Sequence, residues 1–369
     1  MKELNDIILA YDKAVLQNKQ TALATVVKVE GSSYRRPGAR MLVTEDGKIT
    51  GAISGGCLEG DALRKAQFAM FQQRNKIEIY DTTDEDDSTL GIQLGCNGIV
   101  YILFEPINKD DIKNPINLLK KVAEQRKDAV LVTLFSEQRN AVQKGTCCFI
   151  NEVESHFAKG TENFKSESEA ILQQKISVVK EGEAGSILHQ FISPSIQLVI
   201  VGAGNDAQPL ADMAFLMGWN VIIVDGRPAY ATQQRFPNAK ISLTKPGNIL
   251  SAIEIDENTA VVLMTHNYNY DLVALEKLIN TNCKYIGALG PKTKLNKMLS
   301  DLHDKGIAID NEKMQNIYGP VGLDIGAETS EEIALSITAE IKAVFSKKKA
   351  SSLKEKATQI HERSINISG

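Results

Sequence analysis

The sequence predicts an α/β protein of two domains: a mixed α/β domain over residues 1–193 and a Rossmann-like, doubly wound parallel-sheet domain over residues 194–369. Three observations carry this. Beyond Pro194, short wholly apolar runs alternate with helical periodicity, the pattern of parallel strands covered by helices on both faces. The first of these runs leads straight into Gly202-Ala-Gly204-Asn-Asp-Ala207, a glycine-rich turn that opens a helix. Before Pro194, hairpin signals and separate helices mix without a clean parallel repeat.

In the first domain, Ile7, Ile8, Tyr11, Ala14 and Val15 recur at helical spacing, so residues 2–18 read as an amphipathic helix. Leu23–Glu30 reads as a strand, and Pro37-Gly38 suits a type II turn with glycine supplying the positive φ. Arg40–Thr44 and Lys48–Ala52 flank Glu-Asp-Gly as a hairpin. A helix is expected from Cys57 to Arg74, with Leu58, Ala62, Ala66, Ala69 and Met70 on one face. Strands follow at Lys76–Tyr80 and Ile99–Phe104, a helix at Ile112–Gln125, and strands at Ala129–Phe135 and Cys147–Asn151. Glu152–Gly185 is polar and reads only as a helix and a strand set on loops.

In the second domain the strands are Leu198–Val201, Val221–Val224, Ala260–Met264 and Lys284–Ile286, and Ala207–Met217 is helical. Thr329 and Glu332 form a capping box for a helix behind the glycine-rich Gly319–Gly326 loop. Trp219 is expected to pack, and the Lys- and Ser-rich tail from Lys347 to fray.

Composition narrows the function classes. The 369 residues are 43% hydrophobic and 24% charged with a net charge of −4, so no bulk positive field draws nucleic acid or an anionic membrane. The apolar runs are strand-sized, well short of the ~20 residues of a bilayer span. The start, Met-Lys-Glu-Leu-Asn-Asp, is acidic and helix-like, unlike a signal peptide. Five scattered cysteines include no Cys-x-x-Cys pair, which disfavours a zinc site and fits reduced thiols in the cytoplasm. The acidic run Asp84–Asp87 fails the EF-hand spacing at Thr89 and Gly95, so no metal site is assigned.

Chemistry is expected in two places. Ser54-Gly55-Gly56-Cys57-Leu-Glu59 joins a strand to a helix, and its amide groups can form an anion nest. Cys57 then lies at a helix N-terminus, where the macrodipole favours thiolate, and Glu59 caps the first turn or acts as acid or base. Cys57 equally suits a small buried residue filling a tight corner. A second cysteine between glycines, Leu94-Gly-Cys96-Asn-Gly98, suggests a pocket with two soft sulfur ligands. Arg35, Arg36 and Arg40 bracket Pro37-Gly38; Arg forks grip phosphate, and at least one of the three is expected only to line a solvated hairpin edge. Cys147, Cys148 and Cys283 read mainly as packing.

The other place is the crevice of the second domain. Gly202 and Gly204 let a diphosphate approach the helix N-terminus, and Asp225 stands where a dinucleotide fold places its ribose-binding carboxylate. A Rossmann domain whose glycines serve only a tight turn is the competing reading. His266, Gly287 and Gly290 follow or end later strands and point to the same crevice, although His266 suits a satisfied loop histidine equally well.

Taken together, Gly31-Ser-Ser-Tyr-Arg-Arg-Pro-Gly-Ala-Arg-Met-Leu-Val43, Gly51-Ala-Ile-Ser-Gly-Gly-Cys57-Leu-Glu-Gly60, Leu94-Gly-Cys96-Asn-Gly98, the Gly202 loop, Tyr285–Gly290 and Gly319–Ala327 resemble the XdhC/CoxI family of accessory proteins for molybdenum hydroxylases. The likeness spans about residues 20 to 345. It departs at Asn205-Asp206, where many relatives have Gly-x-Gly-His, and at Asn97, where many have glycine. The resemblance implies an N-terminal XdhC domain, a C-terminal Rossmann domain, and binding of molybdenum cofactor (molybdopterin) for delivery to an apo-hydroxylase such as xanthine dehydrogenase. It also implies protection of the cofactor while a cysteine desulfurase supplies its terminal sulfur. On this reading Cys57 and Cys96 meet near the molybdenum or its dithiolene. The Ser54–Cys57 amides, with Arg35 or Arg40, hold the pterin phosphate, and the chain works as a non-enzymatic maturation factor. A homodimer is expected from spare sheet edges. The competing classes are an NAD(P)-dependent oxidoreductase using Gly202 and Asp225, and a scaffold that binds no ligand.

Overall fold

The computed structural model describes residues 1–81, 98–157, 161–182, 185–356 and 366–367. They form two compact units, Met1–Pro194 with His361–Gly369, and Ser195–Ile360. Cys96, Asn97 and the acidic run at Asp84–Asp87 lie outside the described residues.

The first unit is built from two sheets, antiparallel except for one parallel pairing at an edge of the second. Helix α1 (Lys2–Leu16) precedes β1 (Thr21–Gly31), β2 (Arg40–Thr44), β3 (Ile49–Gly51), α2 (Glu59–Gln72), β4 (Lys76–Asp81) and β5 (Gly98–Pro106). These strands form one sheet in the order β3-β2-β1-β5-β4. Period-two alternation divides its faces. Ala22, Ala24, Val26, Met41, Val43, Ile102 and Phe104 pack under α2, whose Ala62, Ala66 and Ala69 let the helix lie close. Leu23 and Leu42 face the other way, against Ile7 and Tyr11 of α1 and Leu131 and Phe149 of the second sheet.

That second sheet contains β6 (Ala129–Phe135), β7 (Gly145–Asn151), β8 (Ser155–Phe157), β9 (Val178–Gly182) and β10 (Gly185–Ile192), with α3 (Pro115–Glu124) and α4 (Lys165–Gln174) alongside. The C-terminal strand Asn366–Ile367 pairs in parallel with β9. Strand β10 lies between β6 and β9, yet the sequence carries no clear strand signal there. Its buried polar residues, Ser186 and His189, interrupt any clean apolar run. Both Cys147 and Cys148 are buried, because β7 is covered on both faces.

The second unit follows the expected alternation: β11 (Gln197–Val201), α5 (Ala207–Leu216), β12 (Asn220–Val224), β13 (Lys240–Ser242), α6 (Ile249–Ala252), β14 (Thr259–Leu263), α7 (Tyr268–Leu278), β15 (Tyr285–Ala288), α8 (Lys292–Asp304), α9 (Asn311–Met314), β16 (Ile317–Tyr318) and α10 (Ser330–Phe345). Its sheet is parallel, in the order β13-β12-β11-β14-β15-β16, with the chain reversing direction across the sheet between β11 and β14. Leu198 and Ile200 pack on one face beside Trp219; Val199 and Val201 pack on the other. The capping box at α10 is present, Thr329 accepting from the Glu332 amide and Glu332 accepting from the Thr329 amide. Cys283 is buried among β-strand carbonyls, and burial pushes its thiol up to about 12, as suits an inert packing residue. Among the described residues, no helix is long and apolar enough to cross a membrane.

Candidate functional site

In the first unit three motif segments meet. The β1–β2 loop begins at Gly31, which pairs in register with Gly98 at the start of β5. A Cβ at position 98 would lie 2.4 Å from the Glu30 carbonyl oxygen and 2.5 Å from that of Ser32, so only glycine permits this approach. The same loop reaches the Ser54–Cys57 turn: the ring of Tyr34 lies over Gly55, 3.5 Å from where a Cβ would stand. Gly31, Gly55 and Gly98 thus bring together stretches far apart in the chain.

Ser54 organises the turn. Its hydroxyl donates to Glu59 and accepts from the amides of Gly56 and Leu58, each at 3.1 Å. Glu59 also accepts from the Ser54 amide at 2.9 Å. Burial raises the Glu59 carboxyl, but the Ser54 hydroxyl and surrounding amides outweigh it, and its pKa falls below the ordinary value. Glu59 therefore acts as a fixed anionic clasp rather than a proton donor near neutrality. Two of the expected nest amides are also spent inside the turn, that of Ser54 on Glu59 and that of Gly56 on the Ser54 hydroxyl. Because the carboxyl is depressed, its clasp is complete above the ordinary carboxylate range and is lost as pH falls through the lowered folded value. Glu59→Gln should cost about 1 kcal/mol at pH 7 by thermal unfolding, and the gap from the unsubstituted protein should close below about pH 4.

Cys57 is half-buried, with Sγ 3.5 Å from Ser54 Oγ, and free of any disulfide. It precedes Leu58, the N-cap of α2, and so lies outside the first helical turn, whose acidic residues are Glu59 and Asp61. The expected gain from the macrodipole therefore falls to those carboxylates first.

Of the two arginines named for phosphate, the structure corrects Arg40. Arg40 is 4% exposed on β2, with Nη1 donating to Gly38 O at 2.9 Å, so its fork is enclosed and cannot meet an outside ligand. Burial lowers its guanidinium to about 10, against the pull of Glu105 and Glu3. Arg35 pairs with Glu3 of α1 at 3.3 Å, and its guanidinium also lies 5.9 Å from the centre of the Tyr34 ring. The loop's outward groups are instead Tyr34 and Arg36, both exposed. Arg36 stands in the arginine cluster of the sequence; Tyr34 carries no signal beyond its place in the motif.

In the second unit the expected crevice residues do gather at the carboxyl ends of β11, β12 and β14. Gly202 has φ +116°, and a Cβ there would lie 2.6 Å from the Met264 carbonyl oxygen. His266 sits over Gly204 at φ +56°, uncommon for a residue with a side chain, and its Nε2 is 3.2 Å from Asp206 Oδ2. Asp206 also accepts from Ser330 at 3.1 Å.

Asp225 departs from expectation. One of its oxygens accepts from Ala203 N and Arg227 Nη2, the other from Arg227 N and Nε, all at 2.7–2.9 Å. Four donors fill the four lone-pair positions of a carboxylate, leaving none for a ribose hydroxyl. Burial raises the Asp225 carboxyl, but Arg227 and the amides bring it below the ordinary value. The carboxylate thus ties the Gly202 loop to Arg227, and the NAD(P) expectation loses its anchor.

Gly287 is likewise a packing glycine, since a Cβ there would strike Val321 at 2.6 Å and Tyr285 at 2.9 Å. Gly290, at φ +123°, turns the chain toward α8. Among the described residues no group of three or more His, Cys, Asp or Glu is placed to hold a metal.

Comparison with known proteins places these motifs. Residues 198–341 match the XdhC Rossmann domain, and residues 14–81 match the XdhC and CoxI family. The chain is 33% identical over 333 residues to a Bacillus subtilis protein named as a probable xanthine dehydrogenase subunit, covering 89% of this chain and 94% of that one. It is 26% identical over 335 residues to the molybdenum cofactor insertion chaperone PaoD of Escherichia coli, covering 90% and 86%. A crystal structure described as a xanthine dehydrogenase from Bacillus halodurans superposes with a TM-score of 0.72 at 30% identity, covering 94% of this chain and 98% of that one. With this identity sustained over nearly both full lengths, the chain belongs to the XdhC and CoxI family.

Proposed function

We propose that this protein binds molybdenum cofactor as cargo and hands it to the apoenzyme of a molybdenum hydroxylase. The observation that supports the reading is the glycine-built Ser54–Cys57 turn, with Tyr34 of the Gly31 loop over Gly55 and one half-buried free thiol at its end. The printed name of the PaoD relative supports it. A thiolate is a soft ligand suited to molybdenum or its dithiolene sulfurs, and glycine backbone around it lets a bulky cargo approach. The family resemblance implies Cys96, which lies outside the described residues, as a second thiol. Assistance in sulfuration by a cysteine desulfurase belongs to the same reading, since cargo held at the metal end is protected while its terminal sulfur is installed.

Cys57→Ala should fold with unchanged thermal stability and lose most bound molybdenum after anaerobic co-expression with cofactor synthesis. The metal is read by elemental analysis and the pterin by fluorescence of its oxidised form. Equal loading in Cys57→Ala and the unsubstituted protein would remove the thiol from the account.

A further inference from the structure

Adjacent residues of a regular strand point to opposite faces, which would hold the thiols of Cys147 and Cys148 apart. Strand β7 is not regular at this point. Val132 of β6 pairs with Cys148 and Thr133 pairs with Thr146, so Cys147 has no partner on β6 and forms a bulge. Both side chains reach one apolar cluster, with Val130, Val132, Ile171 and Val178. Their Sγ atoms lie 3.6 Å apart, and neither is in a disulfide.

The two thiols differ in setting. Cys148 is wholly buried, with Sγ 3.0 Å from Thr161 Oγ1. Cys147 keeps 9% of its surface, and its Sγ lies 3.6 Å from Val132 O. A cavity of about 320 Å³ adjoins the same cluster: Leu134, Phe164 and Ile187 belong to both, and Val142 and Lys144 complete its wall on the β6–β7 side. The contact with Cys148 and burial push the Cys147 thiol up, with Glu105 adding to the rise and Lys144 opposing it. At rest the pair is therefore two thiols, and the reactive thiolate is a small fraction near neutrality.

We propose that Cys147 and Cys148 form a redox-active dithiol that a small hydroperoxide, entering through this cavity, converts reversibly to a vicinal disulfide. The pair belongs to a different cluster from that of Cys57, and the proposal does not rest on the cargo reading. Cys147, having lost its proton, attacks one peroxide oxygen. An S–O bond forms, the O–O bond breaks, and the departing hydroxide takes up a proton and leaves as water. The Cys147 sulfur, oxidised by two electrons, is now a sulfenic acid. Cys148 attacks that sulfur; an S–S bond forms, the S–O bond breaks, and the second hydroxide leaves as water with the Cys148 proton. Two thiols and one peroxide thus give one disulfide and two waters. Neighbouring Cα atoms are about 3.8 Å apart, nearer than the roughly 4.4 Å minimum of ordinary disulfides. The closed ring is therefore strained and easily reduced, which makes the step reversible.

The test is hydrogen peroxide treatment of the full-length protein, followed by alkylation, digestion and mass spectrometry. The peptide holding Cys147 and Cys148 should lose two hydrogens and resist alkylation, and dithiothreitol should restore both thiols. Cys283, buried without a second thiol, should stay reduced. The loss should be faster at about pH 9 than at about pH 7, because the thiolate is the reacting form. Cys148→Ala should halt Cys147 at the sulfenic acid, which dimedone traps, and Cys147→Ala should leave Cys148 unoxidised. Should either variant fail to fold, arsenite on the unsubstituted protein supplies the second reading. One arsenic should bridge the two thiols, two of its hydroxides leaving as water, and should shield this peptide from alkylation and from peroxide. Three results would each overturn the proposal: two thiols that persist here under peroxide that oxidises Cys57, Cys147 passing to sulfinic acid with no S–S bond, or no arsenic retained at this peptide.

Discussion

Replacing Gly202 with alanine should destabilise the second unit by about 3 kcal/mol or more, among the largest effects of any single substitution in the chain. Two costs add at this position. The backbone is at φ +116°, a region that side chains rarely adopt, and the new Cβ would press to 2.6 Å of Met264 O and 2.8 Å of Thr265 Cα. Neither neighbour is a flexible side chain that can swing aside. Met264 and Thr265 join β14 to the His266 loop, and Met264 N donates to Val201 O at 2.9 Å, so relief would pull two strands apart. Hydrogen exchange read separately for the two units of the full chain measures it. Protection should fall across β11 and β14 and stay unchanged in β1 and β5. A loss under about 0.5 kcal/mol would show that the turn does not need glycine.

Lys294→Met should have the second-largest effect, about 3 kcal/mol, because it strands a buried charge. Asp271 is wholly buried at the start of α7, and Lys294 Nζ meets it at 2.6 Å while also donating to Leu289 O at 2.8 Å. Asp271 further accepts from the Thr265 hydroxyl at 2.7 Å and the Thr265 amide at 3.3 Å. The pair therefore fastens the loop after β14, the one bearing His266, to α7 and α8. Removing the lysine leaves the carboxylate with two neutral donors and no countercharge. Chemical denaturation measures the loss. Adding Asp271→Leu to Lys294→Met should recover a large part of it, since no buried charge is then unpaired. A double variant no better than the single one would assign the cost to packing instead.

Much of this architecture is legible in the sequence, and the reasons are local. β11, β12 and β14 are buried on both faces, so they stand out as short apolar runs, and the glycine-rich turn marks where the first meets its helix. Thr329 and Glu332 announce the start of α10 by side-chain chemistry alone. β10 stays hidden because its pairing is long-range: His189 is fully buried only once β6 and β9 flank it. The candidate site divides in the same way. The residue types of the Ser54–Glu59 turn point to a constrained, glycine-rich corner with a free thiol, and the corner is there. What the chain does not disclose is direction. Arg35, Arg36 and Arg40 are equivalent in composition, but strand register turns Arg40 inward, Glu3 captures Arg35, and Arg36 is left in solvent. Asp225 occupies the expected position, but Arg227, two residues on, fills its lone pairs.

The central claim is that this chain carries molybdenum cofactor. The most direct measurement is the molybdenum and pterin content of the unsubstituted protein purified anaerobically from cells that overproduce the cofactor. The account predicts that both co-purify in near-equal amounts and that both pass to a molybdenum hydroxylase apoenzyme, restoring its activity. Protein that emerges with neither molybdenum nor pterin, while still binding the apoenzyme, would contradict the account and favour a scaffold that holds partners together without cargo.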